Sequence, residues 1–141
     1  EDGTSTLMHE LTHVITRIRG AKGDDWIAEG LAEFYSVTLL HRAGLLSDRR
    51  HRRALEWIKQ RGAGVKRLRS TASQGDRTAR AVSVFVDLDR EIRRVSENRY
   101  DIDNITQALM GRGRVSLEDL RDEAERLLGV PSETLNSPVL N

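Results

Sequence analysis

Apolar side chains recur along this chain three and four residues apart, the period of an α-helix, and no stretch alternates as a half-buried strand does. The pattern predicts six main helices and an all-α fold. The first, roughly 4 to 19, carries Leu7, Leu11, Val14, Ile15 and Ile18 on one stripe, of the kind an amphipathic helix turns to a core, and ends at Gly20 and Gly23. The second follows a cap at Asp24 or Asp25, carries Ile27, Leu31, Phe34 and Leu39, and stops at Gly44, with Leu45 completing a C-terminal cap. Ser47 or Asp48 caps a third that runs to Gly62. The fourth, about 77 to 97, lines Val82, Phe85, Leu88, Ile92 and Val95 along one face and reads as the central core helix. A shorter helix opens at Asp101 with Ile102, Ile105 and Leu109 inward. The last opens at Ser116, where Asp119 resembles a capping-box partner, and ends at Gly129. Residues 62 to 76, rich in Gly, Ser, Arg and Lys, read as a surface loop. Trp26, Trp57, Phe34 and Phe85 are expected in the core or at a subdomain interface, and Asp89 and Glu91 in structural roles.

At 141 residues the chain is one domain's worth. A net charge of +1 with 32% charged residues gives no strong field towards nucleic acid or membrane. No run of 18 apolar residues marks a membrane span. Cysteine is absent, which excludes disulfides and a thiolate metal site and leaves His and carboxylates as metal ligands. The first residue is Glu and no signal-like segment precedes the first helix, so residues 1–141 read as a single excised piece of a longer protein.

One segment changes the picture from scaffold to chemistry. His9-Glu10-Leu11-Thr12-His13 is an H-E-x-x-H signature on the first helix. Residues four apart on a helix lie nearly one above the other, about 6 Å along the axis, so both imidazoles can reach one cation. Glu10 falls beside them as the candidate general base. Fifteen residues after His13, Trp26-Ile27-Ala28-Glu29-Gly30 supplies Glu29 as a third ligand from the second helix. Two imidazoles and a carboxylate leave Zn2+ with residual positive charge and one open position, which lowers the pKa of a water held there to roughly 7. Glu10 would then take that proton and deliver it to a leaving amine. Glu33, one turn beyond Glu29, suits an acceptor for the outer nitrogen of a ligand histidine. His41 and His51 have no partner at ligand spacing and read as surface histidines. The basic residues Arg49, Arg50, Arg52, Arg53, Lys59, Arg61, Lys66, Arg67 and Arg69 read as a solvated helix and loop, since only Trp57 is available for stacking.

The W-x-x-E-G segment after an H-E-x-x-H helix resembles the gluzincin metallopeptidases. The chain as a whole looks like their glycyl-aminopeptidase family, often linked to PDZ domains. Glu33-Phe34-Tyr35-Ser36 through His41-Arg42-Ala43-Gly44-Leu45-Leu46-Ser47, Leu88-Asp89-Arg90-Glu91-Ile92-Arg93, Asp101-Ile102-Asp103-Asn104-Ile105 and Ser116-Leu117-Glu118-Asp119-Leu120 are similar to later segments of that family. The resemblance implies a thermolysin-like helical subdomain, with an antiparallel sheet subdomain upstream and outside this chain. It implies His9, His13 and Glu29 as zinc ligands, Glu10 as base, and a peptide or protein as substrate. It favours an extracytoplasmic location. Two departures accompany it. The family's oxyanion tyrosine is replaced by Thr78, too short to stand in for a phenol, and its nearby glycine by Ala81; neither Tyr100 nor Arg80 is placed at the zinc by the sequence. The expected activity is zinc-dependent peptide-bond hydrolysis. The rivals are a catalytically impaired homologue serving as a binding module and a basic nucleic-acid-binding helical domain.

Overall fold

Four fully buried side chains, Val82, Phe85, Leu88 and Ile92, recur at helical spacing on one face of α4 (Asp76–Val95) and make it the axis of the core. Burying each contributes roughly 2–3 kcal/mol. In the computed structural model, which describes residues 5–70 and 72–141, five further α-helices surround or flank α4. They are α1 (Thr6–Thr16), α2 (Asp25–Arg42), α3 (Asp48–Gly62), α5 (Ile102–Leu109) and α6 (Leu117–Leu128). Helices α2 and α3 pack along α4, while α5, α6 and a 3-10 turn at Thr134–Asn136 close its other sides. The fold is all-α. No helix among the described residues is long and apolar enough to cross a membrane.

Local chemistry sets the helix ends where the patterning places them. Ser47 Oγ accepts from the Arg50 N–H at 3.2 Å to open α3, and Asp101 with Asn104 and Ser116 with Asp119 form reciprocal capping boxes. Helix α2 ends in a Schellman arrangement, with Gly44 at φ 74° and the Leu45 N–H donating to the Leu40 carbonyl at 3.0 Å.

Two close approaches hold α2 against the core. Trp26 stacks on Phe85 with ring centroids 5.6 Å apart. At Gly30, an added Cβ would lie 2.7 Å from the Ala81 Cβ and 2.8 Å from Phe85, so only glycine lets α2 settle this deeply beside α4. Asp24, at the start of α2, is buried and receives four donors. They are the Trp26 indole at 3.1 Å, the Arg69 Nε at 2.9 Å and Nη2 at 3.2 Å, and the Leu117 N–H at 3.0 Å. One carboxylate thereby joins α2, the α3–α4 connection and the start of α6. At the far end of α2, the buried Tyr35 hydroxyl donates to Asp103 at 2.7 Å, and Arg42 holds the same carboxylate at 2.9 Å. Burial of that phenol, with Asp103 beside it, pushes its pKa far above the ordinary tyrosine value.

The structure corrects the patterning in four places. Helix α1 stops at Thr16 because Arg17 turns left-handed, at φ 55°; Ile18 then enters the core beyond the helix. The rest of the expected stripe points outward, with Leu7, Val14 and Ile15 more than half exposed. Secondly, Arg19–Gly20 and Arg114–Val115 pair as two-residue parallel strands, β1 and β2, too short to leave a period of two. Thirdly, the segment between α3 and α4 is pinned rather than a plain surface loop: Leu68 is buried and its N–H donates to the Val139 carbonyl at 2.9 Å. Fourthly, Trp57 and Val95 are 44% and 41% exposed and belong to the surface.

Glu91 shows how a buried carboxylate fastens the C-terminal turns. It accepts from the Ser132 hydroxyl at 2.6 Å and from the N–H groups of Glu133 and Thr134 at 2.9 and 3.3 Å. Burial pushes its pKa up, but these hydrogen bonds outweigh burial and hold it below the ordinary value of 4.5. Glu91→Ala is expected to cost about 2–3 kcal/mol in denaturant unfolding, because it orphans three donors. Since the folded-state pKa is depressed, the contribution is complete above the unfolded-state pKa. Wild-type stability is therefore expected to fall as pH drops below about 4.5, and the Ala variant to lose less over that window.

Candidate metal centre

Helices α1 and α2 are joined by a turn that folds back tightly. Gly20 permits this, since a Cβ there would sit 2.4 Å from the Asp24 carbonyl oxygen, and Gly23 takes φ 84°. The turn lays the His9/His13 face of α1 across the Glu29/Glu33 face of α2, both pairs four residues apart.

The four side chains meet. His9 Nε2 lies 3.0 Å from Glu29 Oε2, His13 Nε2 lies 3.2 Å from Glu29 Oε1, and the two Nε2 atoms are 3.1 Å apart. His9, His13 and Glu29 are the group that can hold a metal ion among the described residues. The spacing suits one: ligands bonded at about 2.0–2.1 Å in a tetrahedron lie about 3.3 Å from one another. Glu33 Oε2 sits 2.7 Å from His9 Nδ1. A carboxylate has no hydrogen to give, so Glu33 selects the tautomer with the proton on Nδ1 and turns the Nε2 lone pair of His9 towards the other ligands. With His13 in the same tautomer, two imidazole lone pairs and a carboxylate oxygen converge, an arrangement that a cation stabilises. The donor set, two imidazoles and a carboxylate with partial exposure, fits Zn2+ and leaves room for a further ligand.

Glu10, the expected base, is exposed and makes no hydrogen bond or ion pair among the described residues. It lies about 60° around α1 from His13 by helical geometry. Thr78 lines the same cavity as His9, Glu29 and Glu33, a space of about 280 Å3, and its hydroxyl is 3.1 Å from that of Ser73. Neither Arg80 nor Tyr100 lines that cavity; Arg80 borders a separate groove between α3 and α4. Trp57 and Arg61, one turn apart on α3, line the wall facing the cluster. The sequence signal for these two is their four-residue spacing, which a core or subdomain-interface role for Trp57 and a basic run around Arg61 obscure. Beside His13, a second and wider depression is bordered by His13, Val14, Arg17 and Arg114.

His41 and His51 stack face to face, with centroids 4.1 Å apart, and His41 Nε2 lies 2.6 Å from Asp48. Burial, then the neighbouring His41, lowers the His51 pKa. Parallel rings cannot converge on one ion, so this pair is no ligand set.

No protein-family model matches the chain, and no curated protein or solved structure is significantly similar to it.

The role of Glu33 is open to direct measurement. Glu33→Gln is expected to weaken zinc binding by about tenfold to a hundredfold in a competition titration with a chelator, since the amide can present the wrong group to Nδ1. Unchanged affinity would reduce Glu33 to a helix-surface carboxylate.

Proposed function

We propose that this chain is the helical part of a zinc metallopeptidase, similar to the gluzincins, that hydrolyses peptide bonds. The observation that carries the reading is the convergence of His9 Nε2, His13 Nε2 and Glu29 within 3.0–3.2 Å, with Glu33 holding the outer nitrogen of His9. Zinc held by these ligands supplies Lewis acidity that polarises a carbonyl and acidifies water. Glu10, one residue from His9 and open to solvent, takes the proton from the attacking water and returns it to the departing amine. The cavity beside His9 and the depression beside His13 give an extended peptide room on both flanks of the cluster. The outward apolar side of α1, with Leu7 at 74%, Val14 at 69% and Ile15 at 61% exposure, supports a partner subdomain covering it, in keeping with an upstream sheet half.

The second reading, a binding module with impaired chemistry, rests on Thr78. Its short hydroxyl occupies the cavity wall and is engaged with Ser73. Loss of one oxyanion donor commonly costs about a hundredfold to a thousandfold in rate.

Glu10→Gln separates these readings. Under the peptidase reading the variant retains full zinc and loses at least about a hundredfold in peptide hydrolysis. Wild-type protein that carries full zinc and cleaves no peptide would favour the binding module, and a Glu10→Gln variant as fast as wild type would remove Glu10 from the chemistry.

A further inference from the structure

Arg61 projects from α3 into the wall of the cavity that holds His9, Glu29 and Glu33, and its guanidinium is fixed on two sides. The Nε donates to Asp76 Oδ1 at 3.1 Å, and the Cζ lies 5.4 Å from the Trp57 ring centroid, a cation–π stack. Among the described residues neither Nη atom makes a hydrogen bond. Gly75, another lining residue, lies beside this edge, where a Cβ would be in ordinary contact with Nη2 at 3.7 Å. Arg61 is also the one arginine or lysine among the described residues lining the cavity, whose remaining polar wall consists of Ser73, Gln74 and Thr78 opposite the acidic cluster.

A guanidinium anchored through Nε and flattened on an aromatic ring presents its two Nη groups as a planar fork, the geometry that receives a carboxylate through two parallel hydrogen bonds. We infer that Arg61 is a specificity-determining residue, and that the peptide bound at the metal centre places a carboxylate in this cavity against the Arg61 fork. This rests on the metallopeptidase reading. The carboxylate can belong to an acidic side chain or to a peptide C-terminus. Trp57 holds the fork's plane and Asp76 its direction, so both are positioning residues. The cavity, at about 280 Å3, accommodates one side chain of the bound peptide with its carboxylate.

The test is a binding titration of zinc-loaded protein with three short peptides identical except for one group. One carries Glu with an amidated C-terminus, one Gln with a free C-terminus, and one Gln with an amidated C-terminus. Either or both of the first two are expected to bind about tenfold more tightly than the third. The difference should vanish in Arg61→Met and shrink in Arg61→Lys, which keeps the charge but not the fork. Thermal unfolding should be unchanged in both variants, as expected for an exposed side chain. Preference for Glu assigns the cavity to an acidic side chain, and preference for the free C-terminus assigns it to a terminal carboxylate. Equal binding of all three peptides, or a preference that survives Arg61→Met, overturns the inference. Zinc content measured on the same samples keeps the two ideas apart. Full zinc without carboxylate preference sinks only the Arg61 site, whereas failure to take up zinc counts against the metal centre itself.

Discussion

Helix α1 is held to the body of the protein through its polar side. Among its described residues only Thr12 is buried, while Leu7, Leu11, Val14 and Ile15 face outward. What meets α2 instead is His9 and His13 against Glu29 and Glu33. An ordinary amphipathic helix would be driven the other way, since each exposed aliphatic side chain forgoes roughly 1.5–3 kcal/mol of burial. The arrangement becomes reasonable when the polar contact includes a cation, because bonds from two imidazoles and a carboxylate to one ion supply far more than ordinary surface ion pairs.

The rest of the molecule keeps the α2 side of that contact fixed. Gly30 follows Glu29 and lies flush on Ala81 and Phe85, which sets the depth of α2 in the core. Asp24 ties the start of the same helix to Arg69 and to the Leu117 N–H. Tyr35, Asp103 and Arg42 tie its other end to α5. If Glu29 holds a metal as proposed, such a frame is what it needs, because a ligand displaced by an ångström would no longer complete the coordination sphere. The residue types that form the frame, a glycine at a close approach and a buried carboxylate with four donors, are costly to replace. Removing one partner of a buried charged network typically costs roughly 3–5 kcal/mol.

Helix positions were largely legible in the sequence because their signals are local. Ser47, Asp101 and Ser116 cap where hydroxyl and carboxylate residues precede apolar periodicity, and Gly44 and Gly129 stop helices as left-handed glycines do. The clustering of His9, His13, Glu29 and Glu33 was legible for the same reason: two His four apart and two Glu four apart are helix-face patterns. What escaped depends on contacts distant in sequence. The parallel pairing of Arg19–Gly20 with Arg114–Val115 spans most of the chain and is two residues long. The pinning of residues near Leu68 depends on Val139 and Asp24. The outward stripe of α1 defeated the amphipathic rule because periodicity reports an apolar face and not what that face meets. Trp57 and Arg61 joined the cavity only once α3 was laid beside the start of α4.

Whether α1 and α2 are built around one divalent ion, as proposed, is decided by elemental analysis of the purified protein beside Glu29→Ala. Close to one zinc per wild-type chain is expected, and its loss in the variant. Wild-type protein that takes up no zinc even from excess metal, or a variant that retains it fully, would mean that the two helices are not joined by an ion held through Glu29.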